Sequence, residues 1–450
     1  MRKGLSRRTF LGGSALAGAG LLLAACGQAQ MVEEAPAEEE MKEEPKEAAK
    51  EAEAMEAKVV NYLHVDLAQN EIWQNSWGSI FDTYKAKHPD LELTVTGTSF
   101  GELPAKAGAA QAGGIAFDAI YGYFAWLGPF IESEIITNID PYLAADGDVS
   151  PDDFYDATKE RYQGKTYGLA WFSNGKEIWF NKNLFTEAGL QNPTEMEADG
   201  TWTWEALLEA AKLLTKVEGD EIVQGGVQLY AGFTSYLCMY AWAYGADFWD
   251  EGCTMPTFTT DSFRDAVQFH VDVALKHKVM GGSYIKGTQA MFNTGSFNVR
   301  TFEANITPEQ LFEIGMAPMP SGPAGRPVAL ANNAMYLGGS GVNPDGGWEF
   351  LKHTVSADVV DEVGAMGGGR YVANKNITPA TTTDYEDVNV YLMQAANSRI
   401  TPTILKQADF NAAWSETWAE LVEGSLTVPE ALDRTQGQLE NWLAEGGCIQ

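Results

Sequence analysis

Histidine is scarce. Five residues, His64, His88, His270, His277 and His353, are scattered over 450 positions. None forms an H-E-x-x-H or similar pair, which disfavours a histidine metal site. The four cysteines include no C-x-x-C, so a thiolate zinc or dithiol redox motif is unsupported. The phosphate-cradling G-x-x-x-x-G-K-[ST] is absent, so ATP hydrolysis does not belong to this chain. Gly338-Gly339-Ser340-Gly341 is one residue off the G-x-S-x-G of serine hydrolases and reads as a strand-end turn. Positive charge is also short. Thirty Lys and Arg against 62 Asp and Glu give a formal net charge of −32 and a pI near 4.4. No basic cluster in the body of the chain overrides this, which argues against nucleic acid as a partner. A glycosidase needs two carboxylates facing across a cleft. Among so many acids no local motif singles out a pair, so counting decides nothing.

What is present begins with a leader. Met1 to Gly13 (MRKGLSRRTFLGG) carries four positive charges and no acid. An apolar run from Phe10 to Ala25 follows, closed by Leu23-Ala24-Ala25-Cys26. This is the layout of an export signal. Ser6-Arg7-Arg8-Thr9-Phe10-Leu11 resembles a twin-arginine signal. Leu23 to Cys26 resembles the lipobox of bacterial lipoproteins, which implies cleavage after residue 25, lipidation at Cys26 and anchoring to a membrane. The run is short and rich in Gly and Ala, which disfavours an uncleaved transmembrane helix. Residues 26–57 are Glu, Ala, Lys, Met and Pro in low complexity, expected to form a charged, self-repelling disordered tether.

The remaining chain is 45% hydrophobic overall with 11% aromatics, and its length suggests two lobes. Val59 to Val65 reads as a strand. Ile72, Trp73, Trp77, Ile80, Phe81 and Tyr84 recur at helical spacing, and His88-Pro89-Asp90 ends that helix. Leu91 to Val95 is a second strand. A small-residue helix over Ala105–Ala112 and a strand over Ala116–Tyr121 complete a second unit. Further helices are expected at Thr203–Val217 (Thr203 as N-cap), Ser262–His277, Trp348–Val355, Ala412–Glu423 and Val428–Leu443. Strands alternating with helices predict an α/β fold with a mainly parallel sheet. Ligands in such folds sit beyond the carboxyl ends of strands, so Asp66–Asn70 and Tyr121–Trp126 are the segments to watch. Tyr167–Lys182 (YGLAWFSNGKEIWFNK) reads at first as a hairpin with an Asn-Gly turn. Cys238 and Cys253 flank a turn at Gly245, and either form a disulfide or remain two buried thiols; Cys448 has no evident partner.

An ordered series of motifs resembles one family. Gly164-Lys165-Thr166-Tyr167-Gly168-Leu169 is followed by Trp179-Phe180-Asn181-Lys182-Asn183-Leu184-Phe185 and Glu187-Ala188-Gly189-Leu190. Thr203-Trp204-Glu205-Ala206-Leu207, Gly287-Thr288-Gln289-Ala290-Met291-Phe292, Ala317-Pro318-Met319-Pro320-Ser321-Gly322-Pro323 and Glu423 to Leu432 continue it. Together they resemble bacterial extracellular solute-binding proteins, the carbohydrate-binding subunits of ABC importers of the maltodextrin-binding type. The resemblance covers about residue 58 to the end. It implies a two-lobed periplasmic-binding-protein fold of type II, with the ligand in the cleft and a hinge that closes on it. It implies lobes of 58–166 plus about 285–325, and 167–284 plus about 326–450. It also implies no catalysis, no cofactor, a monomer, and delivery of the ligand to a membrane permease.

A sugar offers apolar faces and a hydroxyl rim, so its site needs flat aromatics and neutral or acidic hydrogen-bonding groups. The resemblance places Asp66, Tyr121, Tyr123 and Trp126 on the first lobe. It places Phe233, Tyr236 and Trp242 on the second. Phe297 stands where the family has a stacking tryptophan, followed by Asn298 and Arg300. Arg370 lies in a loop near the cleft, and Asn332 and Asn333 are lesser candidates. In Tyr167–Lys182, Tyr167–Ala170 becomes a strand crossing between lobes. Trp171, Phe172 and Asn174 then form a ligand-facing wall, while Trp179 and Phe180 are core. The alternatives are the same fold holding a non-sugar solute such as a polyamine, and a secreted glycosidase.

Overall fold

The structure is a computed structural model that describes residues 58–66, 71–295, 312–326, 328–365, 373–376 and 398–449. All of these lie in the unit Lys50–Gln450. The chain opens with β1 (Val59–Val65), α1 (Glu71–Lys87), β2 (Glu92–Thr98), α2 (Leu103–Ala112) and β3 (Ala119–Tyr123). A 3-10 turn, Phe124–Trp126, caps β3. Next come β4 (Lys159–Tyr162), β5 (Lys165–Asn174), β6 (Glu177–Asn181), α3 (Trp204–Leu214), β7 (Lys216–Glu218) and β8 (Glu221–Gln228). They are followed by α4 (Thr234–Ala243), α5 (Asp261–Leu275), β9 (Gln289–Thr294) and β10 (Ile314–Pro318). The last part holds β11 (Val328–Leu337), α6 (Pro344–Val355), α7 (Ala357–Ala365), β12 (Ser398–Ile400) and β13 (Thr403–Ile404). It ends with α8 (Gln407–Glu423), α9 (Val428–Gly446) and β14 (Cys448–Ile449).

Two main sheets result. The first runs β2-β1-β3-β11-β5-β4, with β12 beside β11; the second runs β10-β6-β9-β8-β7. β1 is parallel to both β2 and β3, as the sequence units predict. β11 returns antiparallel between β3 and β5. In the second sheet β8 and β9 are parallel, while β6 is antiparallel to β9 and to β10. All ten residues of β11 are buried, because it is covered on both faces and both edges. Tyr336 on β11 faces Gly168 of β5 and Ile120 of β3. A Cβ on Gly122 or on Gly168 would stand 2.4 Å from the Tyr336 ring, so both strands need glycine there.

Local chemistry explains the helices. Thr203 caps α3, its hydroxyl accepting from the Ala206 amide at 3.2 Å. Leu207, Leu208, Ala211 and Leu214 form the buried face. Each fully buried leucine contributes roughly 1.5–3 kcal/mol. α3 stops at Leu214, short of the expected Val217, since Thr215 turns its hydroxyl back to the Ala211 carbonyl and Lys216–Glu218 pair with β8.

Three expectations are corrected. β9 and β10, inside 285–325, belong to the sheet of β6, whereas β11, inside 326–450, belongs to the sheet of β1. The crossing from first to second sheet falls at Gly175–Lys176, not at Tyr167, because β5 stays paired with β11 as far as Asn174. β5 and β6 never pair, so the Asn-Gly turn makes no hairpin. Cys253 bonds to Cys448, with Cα atoms 5.6 Å apart, and not to Cys238. Cys238 is a free thiol locked in the buried α4, while β14 carries Cys448 back to the body of the protein by pairing with β13.

Candidate functional site

The carboxyl ends of β1, β2 and β3 lie side by side. Asp66 follows β1 and is exposed; its amide donates to the Thr98 carbonyl at 2.7 Å and its Oδ1 accepts from Gln74 at 3.0 Å. Phe100 follows β2 and is 39% exposed, an unusual position for a phenylalanine. Tyr123 ends β3 and Trp126 follows it, both half-buried. The Phe100 ring centroid lies 5.1 Å from Tyr123 and 4.6 Å from Trp126. These three rings form one aromatic surface, and Asp66 stands at the end of the neighbouring strand β1.

A second aromatic set stands on the other sheet's side. Tyr230 is 5.5 Å from Phe233 and 5.3 Å from Tyr236, all at the start of α4. Phe233 is 48% exposed. Asn411 of α8 accepts from the Thr234 amide and hydroxyl at 3.3 and 3.1 Å, which fixes this turn. Lys176, in the crossing after β5, places its ammonium 5.2 Å from the Tyr236 ring centroid. Burial pulls the Lys176 pKa down, against the pull of neighbouring Glu177. Burial pushes the Tyr123 hydroxyl pKa up, aided by Tyr236 and Glu160. The Tyr236 hydroxyl is raised likewise, chiefly by burial. Both phenols are therefore neutral donors and acceptors at neutral pH.

The remaining sequence candidates divide. Tyr121 is buried, its hydroxyl donating to Asn333 Oδ1 at 2.6 Å. Trp171 is corrected from wall to core. It is 1% exposed and packs 5.0 Å from Trp77, 5.8 Å from Trp73 and 4.4 Å from Phe172. The alternation of β5 turns its ring under α1, so it backs the site and does not face it. Phe172 is 7% exposed in the same cluster. Asn174 ends β5, its backbone opposite Ala331. Trp179 and Phe180 are core, as expected. Trp242 is also corrected: it lies at the far end of α4, buried, with its indole N–H on Asp247 at 2.9 Å and Arg399 over its ring at 4.1 Å. Asn332 is buried in the sheet. Phe297, Asn298, Arg300, Arg370 and Cys26 lie outside the described residues.

Phe100, Tyr230 and Lys176 escaped the sequence reading. Phe100 had a signal: a large apolar residue between Ser99 and Gly101, directly after a strand of the parallel unit. Gly338–Gly341 forms the turn after β11, as expected, with Ser340 Oγ accepting from Gln111 at 2.9 Å.

Residues 70–361 match the family described as bacterial extracellular solute-binding protein, well over half of the chain. The chain belongs to that family. A Brucella abortus chain named as a binding protein is 23% identical to this solute-binding protein over 291 residues, covering 61% of this chain and 67% of that one. Among solved structures, an ABC substrate-binding protein of Listeria monocytogenes in complex with cycloalternan superposes with a TM-score of 0.73 at 17% identity. The cyclic alpha-maltosyl-1,6-maltose binding protein of Arthrobacter globiformis gives 0.71 at 22%. Each alignment covers 86% of this solute-binding protein and 99% of the other chain. The fold is thus the two-lobed periplasmic-binding-protein fold, its lobes built on the two main sheets. Among the described residues no helix is long and apolar enough to cross a membrane.

Proposed function

We propose that this protein is the extracytoplasmic receptor of an ABC importer, holding a sugar or oligosaccharide between its lobes without chemical change. The observation that carries this reading is the presence of two aromatic sets: Phe100, Tyr123 and Trp126 at the strand ends of the first sheet, and Tyr230, Phe233 and Tyr236 around the start of α4. Flat rings suit the C–H faces of pyranoses, and Asp66 and the neutral phenols suit their hydroxyls. Two of the matched structures bear names of cyclic glucose oligosaccharides, which supports the same ligand class. Cys26 would carry the lipid after removal of residues 1–25. Residues 26–57 would serve as the tether, letting a monomer held at the outer face of the cytoplasmic membrane reach its permease.

A thermal-shift screen of the purified protein against linear and cyclic gluco-oligosaccharides, polyamines and amino acids tests the ligand class. Stabilisation by an oligosaccharide, with unchanged sugar recovered afterwards, is expected. Stabilisation by a non-sugar alone overturns the carbohydrate reading, and turnover of the sugar overturns the binding-only reading.

A further inference from the structure

Glu160 of β4 is a carboxyl 3% exposed at the place where the chain passes between the lobes. Three segments make that passage: Gly175–Lys176 after β5, the stretch from Met319 into β11, and the stretch from β12 to α8. Glu160 bonds β11 directly and reaches the end of β5, beside the first crossing, through Asn332. Its Oε1 accepts from Asn332 Nδ2 at 2.7 Å, and its Oε2 from the Tyr336 hydroxyl at 3.5 Å. Asn332 Nδ2 also donates to the Ala157 carbonyl at 2.9 Å, and its Oδ1 accepts from Ser173, two residues before the first crossing. Thr401, in the third crossing, donates to the Leu330 carbonyl at 2.7 Å. Glu160, Asn332, Phe124, Ile400, Thr401 and Thr403 share the lining of one small cavity.

The groups around this carboxyl do not neutralise it. From β11 it meets Asn332 and Tyr336, and from the end of β3 it senses the Tyr123 hydroxyl. Its neighbour on β5 is Gly168, and β12 and β13 bring Ile400, Thr401 and Thr403, all uncharged. On its own strand Lys159 pairs with Asp156 at 2.6 Å; Arg161 lines the same cavity yet lies 3.8 Å from Asp156. Among the described residues no cation forms an ion pair with Glu160. A carboxylate in such a place lacks the water that would stabilise its charge. Burial accordingly pushes its pKa up to about 7, while Asn332 and Tyr336 pull it the other way.

We propose that Glu160 is a proton-operated hinge pin: neutral, it lets the three crossings pack shut, and ionised, it draws water into the cavity and favours the open arrangement of the lobes. The direction follows from linkage. If opening hydrates the carboxyl, the open form holds its proton less tightly, so closing takes up a proton. Raising the pH from the ordinary carboxylate range to about 7 then shifts the population toward the open form, and the shift levels off above that. This rests on hinge closure of the two lobes and not on the identity of the ligand.

The test needs no ligand. Spin labels at Asp90→Cys and Glu218→Cys, exposed positions on the first and second lobes, report the lobe–lobe distance in the full chain. A Cys26→Ser background leaves those two thiols as the reactive ones, because Cys238 is buried. Distance distributions between pH 4.5 and 8.5 should exchange one population for another as the pH rises, with a midpoint between the ordinary carboxylate range and about 7. Glu160→Gln should hold the closed population at every pH. Tyr336→Phe removes a donor to the carboxylate and should move the midpoint upward. A wild-type distribution that ignores pH overturns the proposal, as does a Glu160→Gln variant that follows wild type. Should Glu160→Gln not fold, an unchanged midpoint in Tyr336→Phe overturns it instead.

Discussion

The rings of Phe100 and Trp126 lie 4.6 Å apart, joining the loop after β2 to the turn after β3. The two residues are 26 positions apart in sequence, yet they make one surface because their strands flank β1. Phe100 is exposed, so its removal leaves little cavity. Phe100→Ala should weaken binding of the sugar found by the screen by roughly tenfold or more, with stability within about 0.5 kcal/mol of wild type. Calorimetric titration beside urea unfolding reads both quantities. Unchanged affinity would remove Phe100 from the site.

Trp171 behaves differently. It is as buried as Trp179, each in its own cluster. Trp171→Ala and Trp179→Ala should each cost roughly 3–5 kcal/mol of folding stability. A Trp171→Ala protein of normal stability that had lost its ligand would restore the wall reading that its burial contradicts.

The Cys253–Cys448 bond closes a span of 195 residues. Chain-entropy reasoning gives about 5 kcal/mol for a loop of that size, an upper value for the stabilisation. Cys448→Ser, or reductant added to wild type, should lower the melting temperature by several degrees. Cys238→Ala should leave that reductant response intact. A melt insensitive to reductant would count against the pairing.

Three buried histidines contribute to the acid limb of stability. Burial pulls the pKa of His64 down to about 3 and those of His270 and His353 to about 4. Each is neutral when folded and takes a proton more readily when unfolded. The unfolded state therefore binds more protons below about pH 6.5, and stability falls as the pH drops from there toward 4. Urea midpoints at pH 7, 6, 5 and 4 should decline steadily. Replacing His64 by Phe, in its ring of Tyr62, Trp77 and Phe81, should flatten part of the decline.

The first strand and the helices were legible because each rests on local periodicity and caps, while the two-lobed class came from chain length and from the family resemblance. β1 matches the expected Val59–Val65 exactly as written, and Thr203 caps α3 as its sequence suggests. The lobe boundaries were not, since sheet membership is a long-range property: nothing near Val328 says that β11 threads between β3 and β5. Site residues after the first strands were half visible. The rule that ligands sit beyond strand ends pointed to Asp66, Tyr123 and Trp126 as candidates, but was not applied to β2, where Phe100 stands. Trp171 failed for a different reason. The side of β5 that faces α1 is decided by register with β11, and a tryptophan on either face reads the same in sequence.

The link between β5 and β6 is only Gly175 and Lys176. From Asn174 to Glu177 is three Cα steps, at most about 11 Å when fully stretched. The two sheets are therefore leashed at this point and cannot slide apart there. Whatever motion the lobes make is a swing about the leash, widest at the rim farthest from it. The end of the proposed cleft beside Lys176 is therefore the end that such a swing opens least.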